Sequence, residues 1–276
     1  MTADALPGRA GRGAAGAGQV TAARVVYSEW VRLRTLRSTF VTLAAALVAM
    51  IGSSLLFTGL TASRWSEAGP AEQAGFDPSA LSLIGFFLAQ LAVGVLGVLV
   101  VTGEYSTGMI HATLCAVPRR LPVLWARAAV YSAVIWVLMT AAALAAFLAG
   151  QAVLSTQDIG VSLSDPGVTR AVFGTGLYLT VVAVLSVGIG MLLRNTAGAT
   201  ASVIALLVVV PGLADALPVS WAYRVSPYLP SNAGHALAIR APGPHTLAPW
   251  TGFMVFCLYA AAALAAAALT LRRRDA

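Results

Sequence analysis

The sequence predicts an all-α membrane protein with six transmembrane helices. Of its 276 residues, 59% are hydrophobic and 10% are charged, and the mean hydropathy is +0.84. A water-soluble domain of this length carries a much larger share of charged residues. The apolar residues also fall in runs of about 20, which is the length of an α-helix that crosses a bilayer. These observations together predict a polytopic α-helical membrane protein.

The predicted organisation is a disordered cytoplasmic tail over residues 1–22 and a six-span transmembrane domain over residues 23–276. The tail is rich in Gly and Ala and has almost no large apolar side chain with which to form a core. The spans are expected at about 39–60, 80–102, 121–150, 170–193, 198–217 and 250–271. Pro211 and Gly212 are expected to kink or end the fifth span, because proline lacks the backbone N–H that continues a helix.

An amphipathic segment over residues 24–38 precedes the first span. Three of its apolar side chains share one face of a helix: Val26, Trp30 and Leu33. Three arginines lie largely away from that face: Arg32, Arg34 and Arg37. This pattern favours a helix in the membrane interface, with the Trp at headgroup depth and the arginines as anchors to lipid phosphate. An ordinary basic flank before the first span is the alternative interpretation.

A polar stretch over residues 103–120, GEYSTGMIHATLCAVPRR, separates the second and third predicted spans. Gly103 is expected to break the preceding helix, and Gly108 allows a sharp turn. Apolar side chains then recur at i, i+4 and i+7 on one face of a short helix: Ile110, Leu114 and Val117. Pro118 ends this helix. The two residues that follow anchor its end: Arg119 and Arg120. The stretch predicts a short amphipathic helix at the membrane surface, held between two spans.

The arginines set the predicted orientation. An even number of spans places both termini on one side, and the positive-inside rule assigns the more basic side to the cytoplasm. Thirteen arginines fall on the side of the termini, and the other side has four: Arg64, Arg170, Arg224 and Arg240. The sequence therefore predicts a multi-pass membrane protein with cytoplasmic termini and a cytoplasmic position for residues 103–120.

The composition also excludes several functions. All 17 basic residues are Arg, as is typical of a GC-rich genome such as that of an actinobacterium. A P-loop requires a Lys, so this sequence of 276 residues contains no P-loop ATP site. The arginines flank apolar spans, which argues against nucleic acid as a partner. No ionisable residue is expected near the middle of a span, where proton relays place one, and no residues are spaced for catalysis or for metal or cofactor binding.

Two other features concern packing. Small residues recur in the second and fourth spans, at Gly94, Gly97, Ser186 and Gly190, and they favour close helix packing within the subunit over a substrate site. The stretch 228–237, YLPSNAGHAL, precedes the sixth span on the predicted outer face. The sequence leaves open whether this stretch is a surface loop with a short helix or a re-entrant, lid-like segment.

From about residue 22 onwards, the chain resembles the membrane (permease) subunits of bacterial ABC exporters of the type-2 group. Three stretches carry the resemblance: SEWVRLRTLRST before the first span, GEYSTGMIHATLCAVPRR after the second and YLPSNAGHAL before the last. The second is similar to the family's pattern of a Glu, three residues, a Gly and a short apolar helix that ends near Pro. The matching positions are Glu104, Gly108, Ile110, Leu114 and Pro118. Tyr105 and Met109 replace the family's usual basic residue and Thr.

The resemblance implies a multi-pass transport subunit of a bacterial plasma membrane that is not itself an enzyme. Two six-span subunits, identical or homologous, would enclose the substrate pathway, and separate cytosolic ABC ATPase subunits would bind ATP and Mg. The loop after the second span would be the coupling helix that docks on the ATPase. Its implied coupling residues are Glu104, Tyr105, Gly108, Ile110, Leu114, Arg119 and Arg120. The alternatives are a polytopic membrane anchor or sensor without transport, or a membrane-embedded enzyme.

The most specific hypothesis concerns the side chain of Glu104. It is expected where the second span reaches the cytoplasmic surface, at a depth similar to that of Arg127 in the third span. A lone carboxylate at the edge of lipid is costly to bury without a partner. We therefore predict that Glu104 pairs with Arg127, Arg32 or Arg34. The alternative is a solvated Glu that caps the coupling helix, where its charge is favourable at the helix N-terminus.

Overall fold

The structure is a computed structural model that describes residues 22–35, 37–106, 120–216, 218, 223–241, 243 and 245–273. Across these ranges the regular secondary structure is helical, with no strand. Six helical segments are long and apolar enough to cross a membrane: Arg37–Glu67, Pro78–Gly103, Leu124–Gln157, Val168–Leu193, Thr196–Ala214 and Pro249–Arg272. This confirms the prediction of an all-α fold with six such segments.

The α-helices of the described residues are numbered here in chain order. Five precede residue 107: α1 (Ala22–Thr35), α2 (Arg37–Arg64), α3 (Pro70–Ala74), α4 (Pro78–Leu83) and α5 (Phe86–Ser106). Six follow: α6 (Arg120–Leu154), α7 (Val168–Leu193), α8 (Thr196–Ile204), α9 (Val210–Asp215), α10 (Pro230–His235) and α11 (Pro249–Arg273). The long helices alternate in direction. We call the end of the bundle at which α5 ends and α6 begins the basic end, and the opposite one the far end.

Helix α7 occupies the centre of the bundle and packs against α5, α6 and α11. Small residues allow the helices to approach closely. A Cβ atom on Gly97 of α5 would lie 2.8 Å from the Cβ of Ser186 on α7, and one on Gly190 would lie 3.3 Å from the Cα of Val98. This geometry agrees with the interpretation of these residues as packing sites within the subunit.

The second predicted span differs from expectation at both ends. It consists of α4 and α5, which a turn at Ile84 and Gly85 separates. A side chain at Gly85 would collide with the backbone of Met50 in α2, so the turn lies directly against that helix. At the other end Gly103 was expected to break the helix, but α5 continues to Ser106. The expectation was wrong because one Gly costs a helix only about 1 kcal/mol relative to Ala, which is too little to end a long helix by itself.

The fifth span contains a local widening of its helix. Between α8 and α9, residues Ala205–Val209 form a π-helical turn directly before Pro211. Proline has no N–H to donate, and its ring collides with the carbonyl four residues earlier, so the backbone opens into a wider turn at this point. The distortion expected from Pro211 and Gly212 is therefore present, and the helix continues to Asp215 rather than ending.

The YLPSNAGHAL stretch lies inside the far end of the bundle. Helix α10 packs against α7 and α11, and most of its residues are buried. Glycines make this possible, because a Cβ on Gly234 would lie 2.7 Å from the ring of Tyr178, and Gly252 of α11 approaches the carbonyl of Ala233. After α10, the Arg170 guanidinium donates to the carbonyl of Arg240 at 2.9 Å and holds the chain against α7.

Candidate functional site

A buried ion pair joins α1 to α6 at the basic end. The guanidinium of Arg127 donates from Nε to Oε2 of Glu29 at 3.1 Å and from Nη2 to Oε1 at 2.9 Å. The two residues are separated by 98 positions in the chain. Arg127 is 1% exposed and Glu29 is 6% exposed. This two-point geometry is the strongest form of Arg–carboxylate contact, because it fixes orientation as well as distance.

The buried face of α1 places Glu29 toward α6. Three residues spaced by four form that face: Val25, Glu29 and Leu33. Val25 packs on Ala126 of α6 and so lies beside the ion pair. On α6, Arg127 lies among the buried residues Leu124, Ala128 and Tyr131. Glu29, on the otherwise apolar buried face of α1, therefore pairs with Arg127, which lies among apolar residues of α6.

Arg32 extends this contact to a third helix. Its Nη2 donates to the carbonyl of Val100 in α5 at 3.3 Å, and its Nη1 lies 3.8 Å from Oε2 of Glu29. The side chain of Arg32 is 24% exposed. Arg32, Glu29 and Arg127 thus connect α1 to both α5 and α6. We call these three residues the charged junction.

Removal of one member of the buried pair is expected to be costly. Taking two charges out of water carries a desolvation penalty that a well-formed pair offsets, whereas a single partner left behind has no compensation, at a cost of about 3–5 kcal/mol. The charged junction therefore holds α1 in one position relative to α5 and α6. Its contacts at Val100 and Arg127 lie about one and two helical turns from the predicted coupling loop, residues 103–120.

The structure separates the predicted interfacial anchors into two groups. Arg32 is directed into the charged junction, as described above. Trp30, Arg34 and Arg37 are exposed, and the Arg34 guanidinium lies 5.6 Å from the centre of the Trp30 ring. A cation over an indole face is favourable. Trp30 and Arg34 therefore form one amphipathic contact at the surface of α1.

The predicted coupling residues lie at the edge of the described structure. Positions 104 and 105 belong to the last turn of α5, and position 120 is the first residue of α6. The side chains of Glu104, Tyr105 and Arg120 lie outside the described structure, as do four whole residues: Gly108, Ile110, Leu114 and Arg119. The pairing of Glu104 with a basic residue therefore stays a prediction. Within the described part of the chain, the carboxylate that Arg127 binds is that of Glu29.

Glu29 is the functional candidate that the sequence analysis missed. Its signal was present, because it stands four residues after Val25 and four before Leu33. An acid in the middle of an apolar stripe requires a buried partner. The apolar face expected at Val26, Trp30 and Leu33 differs from the buried face, because Val26 and Trp30 are exposed.

A second group of polar and aromatic residues lies near the far end. The hydroxyl of Tyr178 donates to Oε1 of Gln90, which is 2% exposed. The Tyr178 ring stacks on Phe256 at 5.4 Å. The ring of His235 stacks on Phe86 at 4.1 Å, and burial lowers the pKa of this imidazole from 6.5 to about 4. The contacts join α5, α7, α10 and α11.

Within the described ranges, no group of three or more His, Cys, Asp or Glu side chains is arranged to hold a metal ion. Comparison of the sequence with models of known protein families and with curated proteins gave no match. The functional assignment therefore depends on the charged junction and on the membrane-type helical bundle that carries it.

Proposed function

We propose that this chain is the membrane subunit of an ATP-binding-cassette exporter, driven by a separate cytosolic ATPase that docks on the polar stretch over residues 103–120. The observation that carries the proposal is the charged junction. It ties α1 to the helices on both sides of that segment through the bidentate Arg127–Glu29 pair and the 3.3 Å hydrogen bond from Arg32 to Val100.

The junction suits the transmission of force. A displacement of the segment between α5 and α6 would act on the ends of both helices. Since α1 is bound to both, the three would move together as one packed unit rather than deform separately. An ATPase that closes on ATP and Mg beneath the membrane would supply the displacement. In this proposal, the chain contributes no ATP site of its own.

The polar side chains of the bundle support a pathway shared between two subunits. Several of them are already engaged in hydrogen bonds between helices of the same chain. Gln151 donates to the hydroxyl of Ser82 and to the carbonyl of Pro78 at 3.0 and 3.1 Å, and Ser54 donates to the carbonyl of Ser82. Because these groups stabilise the packed interior, we place the substrate pathway between this subunit and a second, identical or homologous one.

The partner is tested by crosslinking. A photoreactive amino acid at position 110 or 114, in the full chain expressed in its own organism, should capture a P-loop ATPase identified by mass spectrometry. The same residue at Leu258, which is 69% exposed on α11, is the matched control and should capture none. The purified complex should hydrolyse ATP. Capture of no P-loop ATPase from either position would refute the proposal and leave an anchor or sensor as the better interpretation.

The proposed orientation places the termini and residues 107–119 in the cytoplasm of a bacterial cell. Glu72 of α3 and Ser164 are exposed at the far end. With both native cysteines replaced by Ser, Glu72→Cys and Ser164→Cys should react with an impermeant maleimide in intact cells. Gly108→Cys should react only after permeabilisation. Labelling of position 108 in intact cells would overturn this orientation.

A further inference from the structure

A groove with a volume of about 630 Å³ opens on the side of the bundle between α1, α2 and α6. Its lining is apolar apart from Arg34, Thr39 and the hydroxyl of Tyr131. The Tyr131 hydroxyl already donates to the carbonyl of Val93 at 2.7 Å. The volume falls in the range of about 300–1,000 Å³ that small-molecule sites occupy. The groove is therefore large enough for a ligand that is apolar over most of its length.

The groove has one charged end. On α6 its lining runs from Val130 to Leu138, a length of about 12 Å at the helical rise of about 1.5 Å per residue. On α1 its lining includes Trp30 and Arg34, and the charged junction holds α1 against the start of α6. The charge therefore lies at the end of the groove nearest the basic end, and the apolar body extends toward the middle of the bundle.

The charged end is available to a ligand. In the described part of the chain, Arg34 contacts the Trp30 ring and makes no ion pair. The exposed Arg37 follows at the start of α2, and the groove lining contains no acidic residue. Basic pockets between membrane helices bind anionic lipid headgroups, and Trp at interfacial depth marks the headgroup region.

We propose that this groove binds one anionic phospholipid, with an acyl chain along α6 and the phosphate on Arg34. The charge favours a lipid over an apolar helix of a second copy of the chain. An anionic headgroup would pair with Arg34, whereas an apolar helix face in the groove would cover the guanidinium without providing an acid. The surrounding bilayer is already apolar, so the acyl chain gains little by entering. Selectivity therefore comes from the headgroup charge.

The full chain in phosphatidylcholine nanodiscs tests the proposal. Phosphatidylglycerol or phosphatidylcholine with a photoreactive acyl chain is added in trace amount, and labelled peptides are mapped by mass spectrometry. We expect labels within residues 39–43 and 130–138. Phosphatidylglycerol should label roughly five times as strongly as phosphatidylcholine, as expected for one Arg next to one lipid charge. Arg34→Gln should bring that ratio close to one, whereas Arg272→Gln, an exposed Arg of α11, should leave it unchanged.

Filling the groove provides the second test. Ala133 lines the groove and is exposed, so Ala133→Trp should abolish labelling in both segments without disturbing the core. Val137, which also lines the groove and is 60% exposed, provides a second filling variant. Ala145→Trp, at an exposed position of α6 outside the groove, should have no effect. Unchanged labelling in the filling variants, or equal labelling of the wild-type chain by the two lipids, would overturn the proposal. Disulfide formation between copies carrying Ala133→Cys would instead assign the groove to a subunit interface.

Discussion

Arg127 on the third membrane helix binds both carboxylate oxygens of Glu29, a residue of the helix that precedes all six spans. The pair is buried on both sides, so neither residue can exchange its partner for water without moving α1. Arg32 adds a hydrogen bond from α1 to the Val100 carbonyl of α5. The position of α1 is thereby determined by the two helices that flank residues 107–119.

The Glu29–Arg127 pair predicts strong coupling between its members. Glu29→Leu and Arg127→Met should each destabilise the purified protein by about 3–5 kcal/mol, because each leaves one buried charge without its partner. The double variant should lose much less than the sum, because it buries no charge. Thermal unfolding in detergent measures the effect, with Arg272→Met as the control at an exposed position. Losses that simply add would show that the two residues are not energetically coupled.

Glu104 is predicted to act in coupling rather than in assembly. Glu104→Gln should leave membrane insertion and ATPase binding intact, and should lower ATP hydrolysis by the complex. Arg127→Ala also breaks the pair with Glu29 and should cause a larger loss. If Glu104 and Arg127 interact, Glu104→Gln should lower ATP hydrolysis less in the Arg127→Ala background than in the wild-type chain. Additive losses would favour a Glu104 that only caps the following helix, where its charge contributes about 0.3–1 kcal/mol.

The contact between α5 and α7 predicts a low tolerance for side chains at Gly97. A Cβ there would lie 2.8 Å from the Cβ of Ser186 and 3.2 Å from the carbonyl of Ala183. Gly97→Ala should therefore destabilise the fold by about 1–3 kcal/mol through overpacking. Gly52→Ala is the matched control, because no atom lies within 4 Å of its added Cβ, and it should stabilise α2 by up to about 1 kcal/mol. Equal unfolding temperatures for the two variants would contradict this account.

His235 predicts a loss of stability in acid. Its folded-state pKa is about 4, below the ordinary 6.5, because burial disfavours the charged imidazolium. Between these values the unfolded chain binds the proton and the folded chain does not, so stability should fall as the pH is lowered from about 6.5 to about 4. His235→Phe should flatten this dependence. His245→Phe, at an exposed position, should leave it unchanged. The measurement is the unfolding temperature across this pH range, and an unchanged slope in His235→Phe would contradict the assignment.

Local sequence was sufficient for the elements that depend on neighbouring residues. Runs of apolar side chains predicted six membrane-length helices, because a bilayer imposes a minimum length on any spanning helix. Pro211 predicted the distortion of the fifth span, since the missing N–H acts on its own turn. The small residues of α5 and α7 predicted close packing. By contrast, the prediction that Gly103 breaks the helix was wrong, because the cost of a single Gly is small.

Only the tertiary structure decided which residues meet. The sequence presented Glu29 as one polar residue in an amphipathic helix, and Arg127 as a charge near the start of a span. Their partnership across 98 positions depends on the rotation of α1 about its own axis, which packing sets. The burial of α10 likewise depends on distant glycines such as Gly252, which lets α11 approach the carbonyl of Ala233. The polarity of the stretch itself does not predict this contact. Helix formation is a local property, whereas the choice of a partner for a buried charge is made by all the helices that exclude water from it.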